Sequence, residues 1–173
     1  MGEKVHILAH MTVTVTLVVG ADGSTSKDGN SAGVSSAADR SAFLARRRLA
    51  DCILIGGNTA RTEPYHRTPV PVIVLSKSLI NPLADNRLAH CWNLAPVPAI
   101  ERAARTFGPS IHVEAGVTII KELIEANMVD SLELSITDVT GGEDCVDITE
   151  LLSHFPHQSE QIDAGTRFIS AHK

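Results

Sequence analysis

Three short runs of the sequence combine small, hydroxyl-bearing or charged residues in a way that suits phosphate binding. Each follows a stretch of apolar residues, and they are Gly56-Gly57-Asn58-Thr59, Ser76-Lys77-Ser78 and Glu114-Ala115-Gly116. Glycine lets a phosphate approach the backbone, and Ser76 and Lys77 offer a hydroxyl and an ammonium group. A helix that begins after Gly116 would add unpaired backbone N–H groups. Together the runs predict a ligand with two separated phosphate groups, such as NADPH.

The apolar stretches that precede these runs predict parallel β-strands. Residues 52–55, 71–75 and 110–114 are largely apolar, which is typical of strands that are covered on both faces. Ligands of such sheets bind beyond the carboxyl ends of the strands. We therefore expect the three runs to lie together along one rim of a sheet.

The N-terminal part of the chain predicts a strand, a long loop and a helix. Residues 5–8 and 11–19 are rich in β-branched side chains and indicate an opening strand. Residues 20–36 form a glycine- and serine-rich loop, whose length suggests a function of its own. A helix over 37–49 follows, with Ser36 as its N-cap. The apolar residues expected to face the sheet are Phe43, Leu44 and Leu49, and the last turn carries Arg46, Arg47 and Arg48.

The C-terminal half predicts further alternation of strands and helices. Residues 117–127 have apolar side chains at helical spacing, and residues 132–136 alternate as in a strand. A short helix near Leu151 and a last strand over 167–169 complete the pattern. This order predicts an α/β fold with a mostly parallel central sheet and helices on both faces. The length of 173 residues fits one domain over residues 1–173.

Charge and cysteine content exclude several classes of function. The net charge of -5 argues against nucleic acid as a partner. Three cysteines without metal-ligand spacing predict no metal site and a reduced, cytoplasmic protein. Threonine alternates through the apolar residues 13–19, which indicates a strand and not a membrane span. Neither the G-x-G-x-x-G dinucleotide motif nor a P-loop occurs.

Two blocks of the sequence resemble the reductase domain of riboflavin biosynthesis, which often forms the C-terminal half of a bifunctional deaminase–reductase. The first block runs over residues 38–76 and includes Ala50-Asp51-Cys52-Ile53-Leu54-Ile55-Gly56-Gly57-Asn58-Thr59 and Glu63-Pro64. The second, over residues 113–134, is similar to the family signature V-E-[GA]-G-x-x-L…L-[IV]-D-E-L. The resemblance implies a dihydrofolate-reductase-like fold, NADPH as hydride donor and a homodimer. It also implies a small-molecule substrate, 5-amino-6-(5-phosphoribosylamino)uracil, whose ribose becomes a ribityl chain.

The resemblance and the predicted rim together assign site residues. The expected cofactor-binding residues are Gly56, Gly57, Thr59, Glu63, Ser76, Lys77, Gly116, Val117 and Thr118. The expected substrate-binding residues are Ser31, Arg47, Arg67 and Glu114. Arg47 and Arg67 would pair with the 5′-phosphate, and Glu114 would accept hydrogen bonds from the ring or sugar. Two alternatives stay open, because Arg47 also suits a cation at a helix end and Glu114 suits a carboxylate that caps the next helix.

The substrate side departs from the family pattern. Members usually carry S-x-D-G at the end of the first strand; residues 20–23 keep the Asp-Gly pair, whereas the competing register over 14–17 loses it. The first register makes Asp22 a catalytic residue beside Glu114, able to orient or protonate the substrate. Gly33 replaces an aromatic residue of many members, and the segment after Pro64 is shortened. These departures leave two alternatives: a dihydrofolate or other pterin reductase of the same fold, and a non-catalytic nucleotide-binding module.

Overall fold

The structure, a computed structural model, describes residues 11–78 and 80–173, so the predicted strand over 5–8 lies outside the described residues. The strands are β1 (Thr12–Val19), β2 (Cys52–Gly56), β3 (Val72–Leu75), β4 (Ala89–Trp92), β5 (Ser110–Val113), β6 (Ser131–Ile136), β7 (His157–Asp163) and β8 (Thr166–His172). The α-helices are α1 (Ala37–Arg47), α2 (Gly57–Thr62), α3 (Pro96–Thr106), α4 (Val117–Glu125) and α5 (Ile148–Ser153). A short 3-10 helix spans Ser31–Gly33. No helix in the described ranges is long and apolar enough to cross a membrane.

The strands form one eight-stranded sheet in the order β4-β3-β2-β5-β1-β6-β8-β7. Strand β2 pairs in parallel with β3 and β5, and β3 pairs in parallel with β4. Strand β8 pairs antiparallel with β6 and β7. The predicted α/β sheet is therefore confirmed, and its antiparallel end is an addition to the prediction.

The sequence patterns did not predict three elements, which are β4, β7 and α3, and each omission has a physical reason. All seven residues of β7 are exposed, so the strand has no apolar face that could alternate in the sequence. Strand β4 places only Trp92 in the core. Helix α3 begins at Pro96, and proline is favoured at the start of a helix. Because Pro98 follows in the same turn, the sequence there does not show the pattern typical of a helix.

The chain divides into two compact units. In the described residues, unit 1 comprises 11–14 and 47–129, and unit 2 comprises 15–46 and 130–173. Unit 1 holds β2 to β5, and apolar side chains of β2 and β3 pack with Tyr65 and Leu83 into a hydrophobic core. The register of β2 with β3 places Gly56 opposite Leu75, and that of β2 with β5 places Leu54 opposite Val113. The carboxyl ends of these three strands therefore meet at one rim, as the sequence predicts. A single domain over residues 1–173 stays a prediction.

The structure confirms one end of the first predicted helix and corrects its buried face. Ser36 caps α1, because its Oγ accepts a hydrogen bond from the Asp39 N–H at 3.0 Å. The helix ends at Arg47, and Leu44 and Leu49 are 41% and 81% exposed, so their predicted packing on the sheet is wrong. Arg47 is buried instead, at 6% exposure. Its charge is compatible with burial because a carboxylate pairs with it, as described below.

Candidate functional site

The three predicted runs lie at the carboxyl ends of β2, β3 and β5 in unit 1, and we call this edge the rim. A helix begins at Gly57 directly after β2. A second helix, α4, begins after Gly116 as predicted, with Gly116 as an N-cap that makes no side-chain hydrogen bond. Apart from its two chain neighbours, no described residue has an atom within 4 Å of the position that a Cβ on Gly116 would occupy. The backbone at this point of the rim is therefore open to an incoming group.

The rim also contains a cation that sequence reasoning missed. Gly57 has no side chain, and the position of its missing Cβ lies 3.1 Å from Ser76 Oγ and 3.2 Å from Arg61 Nη1. Arg61 and Lys77 are exposed, and neither forms a hydrogen bond or an ion pair through its side chain within the described residues. The signal for Arg61 is its spacing of one helical turn from Gly57, which becomes visible only when α2 is known.

The other predicted cofactor residues lie on the same unit. Thr59 belongs to α2, and Glu63 follows that helix and donates its backbone N–H to the Thr59 carbonyl at 2.9 Å. Val117 and Thr118 form the first turn of α4. Their roles as ligand contacts stay predictions, since the structure places them on the rim without a ligand.

Arg47, Tyr65 and Glu114 form a buried cluster at the end of β5. Arg47 Nη2 donates to Glu114 Oε2 at 2.8 Å, and Arg47 Nε donates to the two carboxylate oxygens at 3.0 and 3.1 Å. The hydroxyl of Tyr65 donates to Glu114 Oε2 at 2.5 Å, and the guanidinium carbon of Arg47 lies 4.5 Å from the Tyr65 ring centre. The cluster therefore joins the end of α1, the end of β5 and the loop after α2.

Interactions within the cluster keep Tyr65 neutral and Arg47 positively charged. Burial, followed by the negative charge of Glu114, raises the pKa of Tyr65 well above its usual 10.0, so the phenol remains a donor. Burial opposes the charge of Arg47, but the hydrogen bonds and charge of Glu114 outweigh it and raise the pKa of the guanidinium. His112 Nε2 lies 4.0 Å from Glu114 Oε1. The carboxylate is thus surrounded by donors from the chain itself.

This arrangement changes the interpretation of two predicted substrate residues. Arg47 and Glu114 bind each other, and each is only 6% exposed. Gly116 is the N-cap of α4, and the Glu114 carboxylate accepts hydrogen bonds from Arg47 and Tyr65. Tyr65, the only tyrosine of the sequence, was missed although it follows the Glu63-Pro64 pair of the family pattern. A single tyrosine that donates a hydrogen bond to a buried carboxylate produces no periodic pattern in the sequence, so the sequence does not mark Tyr65 as part of the cluster.

The loop that carries Tyr65 is held in place by neighbouring side chains. Asn86 Nδ2 donates to the Tyr65 carbonyl at 3.0 Å and to Thr68 Oγ1 at 3.1 Å. His66 Nδ1 lies 2.7 Å from Asp85 Oδ1, and this contact lowers the pKa of the Asp85 carboxyl. Arg67 is exposed and its side chain pairs with no other described residue. Of the two arginines predicted to hold the substrate phosphate, only Arg67 has its donors available.

The predicted catalytic Asp22 lies in unit 2, in the turn after β1. Its carboxylate accepts hydrogen bonds from Ser24 Oγ at 2.6 Å, Ser24 N at 3.1 Å and Gly141 N at 2.7 Å. The bond from the Ser24 hydroxyl, followed by that from Gly141, lowers its pKa to about 2. An acid with this pKa holds no proton at neutral pH, so the expectation that Asp22 protonates the substrate is not supported. The carboxylate instead joins the turn to residues 139–141.

Ser31 also lies in unit 2, where it opens the 3-10 helix. Its carbonyl accepts hydrogen bonds from the N–H groups of Val34 and Ser35, both at 3.1 Å. The same unit contains a cavity of about 490 Å³, and none of the predicted site residues lines it. The described residues contain no group of three or more His, Cys, Asp or Glu side chains that could hold a metal ion.

Several solved structures have folds similar to that of this chain. Solved structures with this fold include the deaminase/5-amino-6-(5-phosphoribosylamino)uracil reductase of Thermotoga maritima (TM-score 0.68, 13% identity), of which the chain spans 57% while 95% of the chain is covered. A pyrimidine reductase-like protein of Corynebacterium diphtheriae matches with a TM-score of 0.72 and 16% identity, over 97% of this chain and 94% of that one. Dihydrofolate reductase of Enterococcus faecalis, complexed with NADP(H), matches with a TM-score of 0.70 and 18% identity, over 93% and 95%. The structural similarity to these proteins establishes the dihydrofolate-reductase-like fold.

The sequence itself matches one family. No curated protein matches the chain significantly. The family model of the RibD C-terminal domain matches residues 11–152, which is most of the chain. The chain therefore belongs to the RibD C-terminal domain family.

Proposed function

We propose that the protein reduces 5-amino-6-(5-phosphoribosylamino)uracil, or a close pyrimidine relative, to the ribityl product with NADPH. The observation that carries this proposal is the family match over residues 11–152, combined with a rim that presents open backbone and cations that pair with no other described residue. NADPH would supply the hydride, which adds to C1′ of the open-chain imine form of the substrate. One proton must reach the adjacent nitrogen, and water is its source because Asp22 is ionised.

The residues of the rim would hold the cofactor. Gly116 leaves room for a phosphate at the start of α4, and the first N–H groups of that helix would donate to it. Ser76 and Lys77 would bind a second phosphate at the end of β3. Gly56, Thr59 and Glu63 would line the path between these two points.

The substrate would be held by residues that keep free donors. Arg67 would pair with the 5′-phosphate, since it is exposed and makes no ion pair with described residues. Arg47 and Glu114 would act by fixing the end of β5 and the loop after α2, since the buried cluster occupies their charged groups.

Turnover by the purified protein tests the proposal. The loss of NADPH absorbance would be followed with the phosphoribosyl pyrimidine, and with dihydrofolate as the competing substrate. We expect oxidation of NADPH with the pyrimidine only. NADPH binding without oxidation by either compound would overturn the proposal in favour of the non-catalytic module.

A second candidate is reduction of dihydrofolate or another pterin. It is favoured by the substrate side of the sequence, where Gly33 replaces the aromatic residue of many family members. Turnover of dihydrofolate without turnover of the pyrimidine would decide for this candidate.

We also propose that the protein is a cytoplasmic homodimer. Its three cysteines are free thiols, which suits a reducing compartment. Strand β7 is the last strand of the sheet order, every residue in it is exposed, and it contains no proline or lysine that would protect an edge. A second copy could pair with this edge. A solution mass of one chain, 18.5 kDa, would overturn the dimer.

A further inference from the structure

Two histidines lie side by side on the exposed hairpin of β7 and β8 in unit 2. The register of these strands pairs His157 with His172, and both residues are exposed. Their ring centres are 5.3 Å apart, and the ring planes are inclined by 26°. Direct cross-strand partners are held close by the backbone pairing itself. The strand register, and not the spacing in the sequence, therefore brings the two imidazoles together.

The ring nitrogens of both histidines are available to a ligand. Within the described residues, neither side chain forms a hydrogen bond or an ion pair, and their rings contact each other. His66 shows the opposite case, because its Nδ1 lies 2.7 Å from Asp85 Oδ1. A neutral imidazole has one nitrogen with a free lone pair, which is a common metal ligand. The pair on the hairpin thus offers two nitrogen ligands to one ion.

The separation of the rings suits a tetrahedral metal ion. A bond from an imidazole nitrogen to zinc is about 2.0–2.1 Å long, which places the ring centre about 3.2 Å from the ion. Two such rings at the tetrahedral angle have centres about 5.2 Å apart, whereas the right angle of a square-planar ion brings them to about 4.5 Å. The observed 5.3 Å matches the tetrahedral case. Rotation of the exposed side chains turns a nitrogen of each ring toward the ion and leaves the strand pairing intact.

Nitrogen ligands in this arrangement favour Zn²⁺. Imidazole suits zinc, copper and nickel, whereas Mg²⁺ and Ca²⁺ prefer oxygen ligands, and zinc sites in proteins are mostly tetrahedral. No group of three or more His, Cys, Asp or Glu side chains that could hold a metal occurs in the described part of the chain. Water would therefore fill the coordination positions that the two histidines leave open.

A metal ion at this place would join two strands that burial does not hold together. All seven residues of β7 are exposed, so the strand gains no stability from an apolar face. The exposed ion pair of Arg167 with Glu160 also joins the strands, but exposed pairs contribute little. One bond from each strand to a shared ion would stabilise the last strand of the sheet order.

We propose that His157 and His172 form a two-histidine site for Zn²⁺ that joins β7 to β8. The site lies in unit 2 and includes none of the residues proposed to bind NADPH or substrate. It goes beyond the proposed reductase function, and the two proposals stand or fail separately.

Calorimetric titration of the intact chain with Zn²⁺ tests the proposal. A Cys145→Ser background removes an exposed thiol that could bind the same ion. His157→Gln and His172→Gln should each weaken Zn²⁺ binding by at least about tenfold, because each variant loses one of the two ligands. His154→Gln, which replaces another exposed histidine close to His157 in the sequence, is the matched control and should leave the affinity unchanged. Mg²⁺ should not bind at this site.

Thermal unfolding gives a second readout that does not depend on activity. Zn²⁺ should raise the unfolding temperature of the Cys145→Ser protein and of its His154→Gln variant, because an ion that binds the folded state stabilises it. The unfolding temperatures of His157→Gln and His172→Gln should not respond to Zn²⁺. Unchanged Zn²⁺ affinity in either of these two variants would overturn the site. Loss of binding in His154→Gln would overturn the pairing of His157 with His172 in favour of His154.

Discussion

Two arginines of unit 1, Arg47 and Arg61, differ in burial and in whether their guanidinium donors are bound by the protein. Arg47 is buried, and its donors are taken up by Glu114 while its face lies against Tyr65. Arg61 is exposed on the rim, and its side chain pairs with no described residue. A buried cation must be satisfied by the protein, whereas a cation that binds a ligand must keep its donors available. The comparison teaches that the buried cluster supports the site and the rim contacts the ligand.

The largest effect is expected when the buried cluster is broken. Glu114→Ala would leave Arg47 as an uncompensated buried charge and should lower the free energy of unfolding by about 3–5 kcal/mol. The double variant Arg47→Met/Glu114→Leu should recover most of this loss, because both charges are removed. Urea denaturation measures both. If Glu114→Ala unfolds like the unmodified protein and loses only substrate affinity, the carboxylate contacts substrate and the comparison fails.

A substitution on the rim should weaken ligand binding and leave the free energy of unfolding nearly unchanged. A bulky residue in Gly116→Trp would fill the open space at the start of α4 and should weaken NADPH binding at least about a hundredfold, equal to about 2.8 kcal/mol. The free energy of unfolding should stay near that of the unmodified protein, because no described residue beyond the two chain neighbours has an atom within 4 Å of the added Cβ. Calorimetric titration and urea denaturation measure the two quantities. Unchanged affinity would remove Gly116 from the cofactor site.

A smaller loss is expected when one donor is removed from the buried cluster. Tyr65→Phe leaves a buried carboxylate oxygen without the phenol and should cost about 1–3 kcal/mol of stability. The same substitution made in a Glu114→Gln background should cost less, since a neutral amide needs the donor less than a carboxylate does. A double-mutant cycle on unfolding measures the coupling. Zero coupling would show that the phenol contributes only through its ring.

The smallest effect is expected in unit 2, where Asp22 is exposed. Its pKa is lowered from the ordinary 3.8 to about 2, so the ionised carboxylate stabilises its turn above about pH 4. That contribution is lost as the pH falls from 3.8 toward 2, because in this interval the unfolded state binds a proton that the folded state does not. Nuclear magnetic resonance titration of the Gly141 amide should report an inflection near pH 2. An inflection near the ordinary value would show that the turn is not held by Asp22.

The sequence predicts the elements whose residues carry a regular apolar pattern. Strands β2, β3 and β5 and helix α4 are apolar at the positions that their environment requires, and their order places the rim correctly. Strand β7 has no such pattern because both of its faces are exposed. Propensity and periodicity therefore reveal buried elements and overlook exposed ones.

The candidate site is less predictable, because it depends on which side chains meet. The resemblance to the riboflavin-biosynthesis reductase domain marks Arg47 and Glu114 as site residues, but only the structure shows that the two side chains bind each other. Arg61 escaped notice since its proximity to Ser76 depends on α2 beginning at Gly57. A sequence shows which residue types are present near a strand end, while their pairing is decided by tertiary packing.

The most direct test of the account is a fluorescence titration of the unmodified protein with NADPH and NADH. We expect micromolar binding of NADPH and weaker binding of NADH, because the rim offers a phosphorylated dinucleotide open backbone and cations that pair with no other residue in the described ranges. Absence of binding to both would contradict the assignment of the rim as a cofactor site.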